Sequence, residues 1–254
     1  MIVQKNVRIN VLFLVLMSLL SSTLSAKPYI VEPPSHELWN ILLQKHVDSK
    51  GKVDYQGLQK DSLQLNRYLD LLRSNHPDEN QWSKEAQMAY WINAYNAFTV
   101  KLIIDHYPVK SIKDIKRGIP FINTVWDIKF IKIGTNTYDL NNIEHTKLRK
   151  KFKDPRIHFA VNCASYSCPA LRNEAYSAEK LDQQLTDATK RFLADDRKNQ
   201  ISAQKINISK LFFWYKGDFT KKGSVIDFIN AYSSVRVNKD AAVNYQDYLW
   251  NLNE

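Results

Sequence analysis

The feature that most constrains the fold of this chain is a long apolar stretch with helical character and no polar face. It begins at Ser83, a suitable N-cap, and continues to about Tyr107, where Pro108 would end a helix. Its apolar residues occur nearly all round the helix: Tyr90, Trp91, Ile92, Ala94, Ala97, Phe98, Val100, Leu102 and Ile103. A helix that is apolar on all sides has to be covered by other elements. The sequence therefore predicts a buried central helix.

The elements around this helix change from helical to mixed along the chain. Periodicity predicts further helices over 35–47, 62–75, 178–193 and 224–232, strands over 125–133, 138–140 and 156–163, and a hairpin around 201–208. The predicted fold class is therefore α+β. We expect a single domain in which a helix-rich N-terminal half packs on a small mixed or antiparallel sheet.

Residues 1–26 are predicted to be a signal peptide rather than part of this fold. Lys5 and Arg8 precede a short apolar run, and small residues follow as far as Ala26, which is the pattern of a secretory signal. The apolar run is too short to span a bilayer. We expect an exported protein, periplasmic or secreted, with one globular domain over 27–254 and no transmembrane segment after signal removal.

The net charge narrows the class of partner. The chain has a formal net charge of +10, and many of its cations cluster between Lys147 and Arg156. In an exported protein such a cluster favours an anionic envelope polymer or a lipid head group, and no nucleic-acid partner is expected. The alternative is a solvated helix face whose cations complement the helix dipole.

Both cysteines of the chain, Cys163 and Cys168, lie in one short segment. In an oxidising compartment, two cysteines at this spacing can form a disulfide if the chain between them turns. Closing so short a loop contributes about 2 kcal/mol, less than a bridge between distant segments. A structural disulfide is therefore one interpretation, and its small contribution to stability is its weakness.

A reactive thiol is the second interpretation. Cys168 and Pro169 fit a helix start, where free N–H groups would stabilise a thiolate. His158 precedes Cys163 by five residues, an odd offset that places the two on opposite faces of a regular strand, so a bulge near Asn162 would be needed to pair them. A zinc site that adds His145 is a third alternative, but the spacing matches no usual zinc motif, and no metal or other cofactor is predicted.

Several motifs taken together resemble those of a known family. They are Tyr90-Trp91-Ile92-Asn93-Ala94-Tyr95-Asn96-Ala97-Phe98, then Asn142-Ile143-Glu144-His145, then the segment 154–169 with both cysteines, then Ser209-Lys210-Leu211-Phe212 with Trp214-Tyr215 and Asp218-Phe219. In this order, over about 80–220, they resemble the domain of unknown function 547 family. The chain looks like an exported bacterial member.

The resemblance bears on the cysteines more than on a substrate. The family is defined by sequence, and it includes secreted bacterial proteins and eukaryotic proteins in which the domain is fused to other modules. Because the motif would then occur in reducing as well as oxidising compartments, the resemblance favours a reactive or ligand-binding thiol over a disulfide alone. The family tail has a carboxylate at the position of Leu249, so any role of that group is absent here or has passed to Asp247.

Two asparagines of the central helix, Asn93 and Asn96, are three residues apart and share a face. Buried amides need partners, which are either the backbone of a neighbouring segment or a catalytic group. If the Cys163 segment packs on this helix, one amide could orient His158 or stabilise an oxyanion. The result would be a Cys-His-Asn constellation of the acyl-transfer type.

The remaining candidates are polar residues near these motifs. Glu144 would complete a capping box with Asn141 or contact a substrate. His145, in the same helical turn, would act as a neutral acceptor or face solvent. Asn162 adjoins Cys163, and Arg172, four residues after Cys168, is a candidate anion contact.

The sequence thus predicts a thiol-dependent hydrolase or acyl-transferase. The catalytic candidates are Cys163, His158, Cys168 and Asn93, and the substrate contacts are Asn96, Glu144, His145, Asn162 and Arg172. The alternative is a non-enzymatic envelope binding module with a structural disulfide between the two cysteines. The discriminating observation is whether the imidazole lies within a hydrogen bond, or one water, of a sulfur. The sequence names no substrate.

Overall fold

The predicted central helix packs against two of the three helices that precede it, and the first of the three packs on the other two. The computed structural model describes residues 32–116 and 124–254, so the predicted signal peptide lies outside the described residues. The helices are α1 (Glu37–His46), α2 (Tyr55–Lys60), α3 (Ser62–Ser74) and α4 (Lys84–His106). Ser83 caps α4 by accepting a hydrogen bond from the Ala86 N–H at 3.1 Å. Of the 23 residues of α4, 18 are buried, which confirms the buried central helix.

The rest of the described chain mixes short strands with helices. A hairpin of β1 (Ile131–Ile133) and β2 (Asn136–Tyr138) precedes α5, which spans 140–152 and is wound as a π-helix over Asn142–Lys150. Then come α6 (Leu181–Leu193), β3 (Gln200–Ile201), β4 (Lys205–Ile208), α7 (Leu211–Trp214), α8 (Lys216–Phe219), α9 (Val225–Tyr232) and β5 (Ala242–Tyr245). Strand β4 pairs antiparallel with β3 and parallel with β5. The α+β class with small sheets is confirmed.

Two apolar clusters form the core, and they meet at the segment before the cysteines. The larger cluster surrounds α4, and the smaller one is rich in phenylalanine. Ile157 and Ala160 belong to the larger cluster, whereas Phe159 between them belongs to the smaller one. Packing on both sides therefore fixes the chain that leads into Cys163. Among the described residues, no helix is both long and apolar enough to cross a bilayer.

The predicted strand over 156–163 is wrong. Pro155–Phe159 forms a turn of 3₁₀-helix, and the chain is irregular from there to Cys163. The Asp154 carboxylate accepts a hydrogen bond from the Arg156 N–H at 2.9 Å, and Pro155 at the first helical position has the φ that a helix needs. This local capping outweighs the β propensity of the branched residues that follow.

The predicted helix start at Cys168 is also wrong, because the helix after the cysteines is α6 and begins at Leu181. The Cys168 N–H donates to the Ser165 carbonyl at 3.0 Å, so Cys168 ends a tight turn. A helix N-terminus therefore does not stabilise a thiolate at Cys168.

The cap of α5 differs from the prediction as well. Asp139, rather than Asn141, accepts the N–H of Asn142 at 2.5 Å. Glu144 is therefore free of the capping box, and its side chain is buried. Upstream of this helix, only the last three residues of the predicted strand 125–133 form a β-strand, and Val125–Asp127 forms a 3₁₀ turn.

Candidate functional site

The loop from Cys163 to Cys168 is tied at both ends by one asparagine. Asn162 Nδ2 donates to the Pro169 carbonyl at 2.7 Å, and Asn162 Oδ1 accepts from the Ala164 N–H at 2.8 Å. Ala164 has a φ of 59°, in the left-handed region that costs a non-glycine residue about 1–2 kcal/mol. The neighbouring contacts thus hold the loop in a conformation that Ala164 itself disfavours.

The central helix fixes the same loop from below. Asn96 Oδ1 accepts from the Asn162 N–H at 2.8 Å, and Asn96 Nδ2 donates to the Ala160 carbonyl at 2.9 Å. The backbone of the cysteine segment is therefore held on α4 by hydrogen bonds with the Asn96 side chain. Asn93 instead bonds both backbone groups of Tyr176, at 2.8 and 3.0 Å. Within the described chain, neither amide forms a hydrogen bond with His158 or with a sulfur. Of the two kinds of partner expected for these amides, the structure therefore shows the backbone of neighbouring segments.

The C-terminal segment covers the loop from above. The Tyr166 N–H donates to the Asn251 carbonyl at 2.7 Å, and the Leu249 N–H donates to Ser167 Oγ at 2.9 Å. These contacts bring Tyr248 over the first cysteine of the loop.

We call Cys163, Ser165, Cys168 and Tyr248 the sulfur cluster. From Cys163 Sγ, the distance is 2.7 Å to Cys168 Sγ, 3.2 Å to Ser165 Oγ and 3.4 Å to the Tyr248 hydroxyl. A disulfide bond is about 2.05 Å long, so the two sulfurs are close but unbonded, and both are free thiols here.

The sulfur cluster favours ionisation of one thiol over the other. Burial opposes a thiolate at Cys163, but hydrogen bonds from Cys168, Ser165 and Tyr248 outweigh it and lower the pKa of Cys163 to about 7. Burial and the neighbouring Cys163 raise the pKa of Cys168 well above its ordinary value. Cys163 is also the more accessible of the two. It therefore ionises first and accepts the Cys168 S–H as a hydrogen bond.

A second polar group, the imidazole cluster, consists of His158, Asp218, Arg149 and Tyr215. His158 Nε2 lies 2.8 Å from Asp218 Oδ2, and Arg149 Nε donates to the same oxygen at 2.7 Å. The His158 ring stacks on Tyr215 with 4.0 Å between ring centroids. Burial lowers the pKa of His158, and the hydrogen bond with His158 holds the pKa of Asp218 well below its usual range. The arrangement is a neutral imidazole whose Nε2–H donates to a carboxylate.

The two clusters are neighbours without a direct link. In the part of the chain that the structure describes, no hydrogen bond joins His158 to either sulfur. They interact electrostatically instead, because the charge of Cys163 in the sulfur cluster adds to burial in raising the pKa of Tyr215 in the imidazole cluster. The predicted direct pairing of His158 with Cys163 is therefore absent from this geometry.

The other predicted contacts are spread around this region. Glu144 is buried beside Tyr215, whereas His145 is partly exposed and accepts a hydrogen bond from Arg149 at 3.0 Å. Arg172 forms ion pairs with two carboxylates and lines a separate cavity of about 220 Å³. Glu144 thus adjoins the candidate site, and Arg172 does not. The described residues contain no group of three or more His, Cys, Asp or Glu side chains placed to hold a metal.

The sequence was compared with models of known protein families. Residues 79–193 match the model of a family described as protein of unknown function, DUF547. The match over residues 79–193 supports the DUF547 family. The match confirms the resemblance drawn from the motifs and includes His158 and both cysteines, while Asp218 and Tyr248 lie beyond it. No curated protein and no solved structure matches the chain.

The sequence analysis did not identify the residues that shift the pKa values of His158 and Cys163. Asp218 and Tyr215 stand in the Trp214-Tyr215 and Asp218-Phe219 pairs, so the motif pointed to them although no role could be assigned. Tyr248 adjoins Leu249 in the tail that was compared with the family, but the comparison assigned it no role, and its contact with Cys163 spans 85 residues of chain.

Proposed function

We propose that this protein is an exported thiol-dependent hydrolase or acyl-transferase in which Cys163 is the nucleophile. The observation that carries the proposal is the set of hydrogen bonds to Cys163 Sγ from Cys168, Ser165 and Tyr248. With a pKa of about 7, a large fraction of Cys163 is thiolate at neutral pH. Attack on an acyl group then needs no separate base to remove the thiol proton.

The proposed reaction has two steps. The Cys163 thiolate attacks the carbonyl carbon of an acyl donor, a C–S bond forms, and the leaving group departs with a proton from the Tyr248 hydroxyl. Water or an acceptor then attacks the thioester and returns its proton to the Tyr248 oxygen, which frees the thiolate. Burial and the charge of Cys163 raise the pKa of Tyr248. Acylation removes that charge, so Tyr248 becomes a better proton donor at the moment it is needed.

His158 has a supporting part in this scheme. Its Nε2–H is committed to Asp218, and its ring is packed between Tyr215 and Phe219, with centroid distances of 4.0 and 5.4 Å. These contacts suit a residue that holds Tyr215, and through it Glu144, in position. We therefore assign the thiol chemistry to the sulfur cluster and a positioning role to His158.

The test is trapping of an acyl-enzyme on the full chain with p-nitrophenyl acetate as the acyl donor. The proposal predicts a burst of one p-nitrophenolate per chain and one acetyl group on Cys163 by peptide mass mapping. Cys163→Ser should abolish both, while Tyr248→Phe should slow the burst and Tyr245→Phe, a matched change away from the sulfurs, should not. A folded protein that gains no acetyl group at Cys163 would leave the binding module as the better account.

A further inference from the structure

The two sulfurs are held together by contacts in which neither sulfur takes part. Asn162 ties the ends of the loop, the Cys168 N–H closes a turn onto the Ser165 carbonyl at 3.0 Å, and Tyr166 is fixed to the C-terminal segment. A short motion of either side chain from the observed 2.7 Å would reach bonding distance. The backbone is thus preorganised for a bond between Cys163 and Cys168 and also accommodates the two free thiols.

The two sulfurs also differ in access. Cys163 is partly exposed, whereas Cys168 is 4% exposed. An incoming disulfide therefore has better access to Cys163 than to Cys168. This is the asymmetry of an attacking and a resolving cysteine.

Groups around Cys168 suit the resolving step. The Cys163 N–H donates to Cys168 Sγ at 2.8 Å, and the ammonium group of Lys198 donates to the Cys168 carbonyl at 2.6 Å. Lys198 is largely buried and also lies 3.6 Å from Asp195 Oδ2, so that carboxylate offsets part of its charge. The Cys163 N–H is the group that contacts the sulfur directly, and it stabilises negative charge at Cys168 once Cys163 no longer carries one.

We propose that Cys163 and Cys168 are a reversible redox pair that exchanges with low-molecular-weight or protein disulfides. The Cys163 thiolate attacks the disulfide, one thiolate leaves, and a mixed disulfide forms at Cys163. Cys168 then loses its proton to solvent and attacks Cys163 Sγ, which expels the second thiolate. The external disulfide is reduced to two thiols, and the pair is oxidised to one intramolecular disulfide.

The exchange would also control the chemistry proposed above, with which it shares Cys163. In the oxidised pair Cys163 has no thiolate, so acyl transfer stops until a reducing thiol reopens the bond. The redox step itself needs no acyl chemistry.

The test uses the reduced full chain and oxidised glutathione, followed by intact mass and peptide mapping. The wild type should lose two hydrogens through a Cys163–Cys168 disulfide, carry no lasting glutathione, and regain both thiols in reduced glutathione. Cys168→Ser should instead accumulate one glutathione on Cys163. Cys163→Ser should react far more slowly than either, because Cys168 is buried.

Three results would overturn the redox pair: no reaction of the wild type, a wild-type glutathione adduct as lasting as that of Cys168→Ser, or a disulfide that reduced glutathione leaves intact. Failure of the two proposals is distinguishable. A normal disulfide cycle without acetylation at Cys163 removes only the acyl chemistry, and acetylation without a disulfide cycle removes only the redox pair.

Discussion

The sulfur cluster and the imidazole cluster lie side by side, yet they treat their central titratable groups in opposite ways. At Cys163, three hydrogen-bonding partners outweigh burial and bring the pKa to about 7. At His158, burial outweighs the hydrogen bond that its Nε2–H donates to Asp218 and lowers the pKa, so the ring stays neutral. The first residue is prepared to react, and the second is fixed in place. Five residues of separation in the sequence therefore do not make a catalytic dyad.

The largest expected effect is a loss of folding stability when the imidazole cluster is disrupted. Asp218→Ala leaves the buried His158 Nε2–H and the Arg149 guanidinium without their shared acceptor, which should cost about 3 kcal/mol in the free energy of unfolding. Urea unfolding measures the loss. Asp247→Ala, whose carboxylate is exposed and pairs with Lys210, is the control and should change little. Equal losses in the two variants would remove the structural role of the imidazole cluster.

The second effect compares the two asparagines of α4. Asn93→Ala and Asn96→Ala each leave two buried backbone groups unpaired and should each cost about 2–3 kcal/mol by urea unfolding. Only Asn96 holds the cysteine loop, so only its loss should also raise the pKa of the Cys163 thiol. The pH dependence of the alkylation rate measures that pKa. A matching rise in Asn93→Ala would mean that Asn93 acts on the sulfurs after all.

Tyr248→Phe sharpens the comparison from the sulfur side. Removing the hydroxyl 3.4 Å from Cys163 Sγ should raise the pKa of that thiol by about one unit, the effect of one hydrogen bond to a charged group. Stability should hardly change, because the ring keeps its contacts with Trp214 and Trp250. Tyr245→Phe is the control. An unchanged thiol pKa in Tyr248→Phe would contradict the proposed stabilisation.

The smallest effect is the share of His158 in the pH dependence of stability. Because the pKa of His158 is lowered in the folded protein, its contribution is present above the unfolded value of about 6.5 and is lost as pH falls below it. His36, whose pKa burial lowers to about 4, loses its contribution over the same range. His158→Gln should therefore make the thermal midpoint fall less steeply below pH 6.5 without removing the slope. A slope identical to that of the wild type would show that His158 is not held neutral.

The sequence supports predictions where one local signal dominates. The apolar pattern between Ser83 and Pro108 specifies α4 almost to the residue, and the gap between the predicted strands 125–133 and 138–140 contains the turn of the β1–β2 hairpin. At 156–163 two signals compete, and the cap and proline at Asp154 and Pro155 prevail over β propensity. The predicted cap of α5 at Asn141 is wrong for a similar reason, because Asp139 is better placed to accept the N–H of Asn142.

The site shows the same division between local and distant contacts. The cysteine segment and its packing against Asn96 follow from motifs on neighbouring stretches of chain. The partners that set protonation do not, since Asp218 is 60 residues from His158 and Tyr248 is 85 residues from Cys163. Which distant side chain reaches the Cys163 thiol depends on how β5 and the C-terminal segment fold back, and no periodicity encodes that.

The most direct test of the contrast between the clusters is the rate of alkylation of Cys163 by iodoacetamide as a function of pH, in the wild type and in His158→Gln. Our account predicts an apparent pKa of about 7 in the wild type and the same value in the variant, because the hydrogen bonds that set it come from Cys168, Ser165 and Tyr248. An apparent pKa near that of a free thiol in both proteins, or one that rises when His158 is replaced, would contradict it.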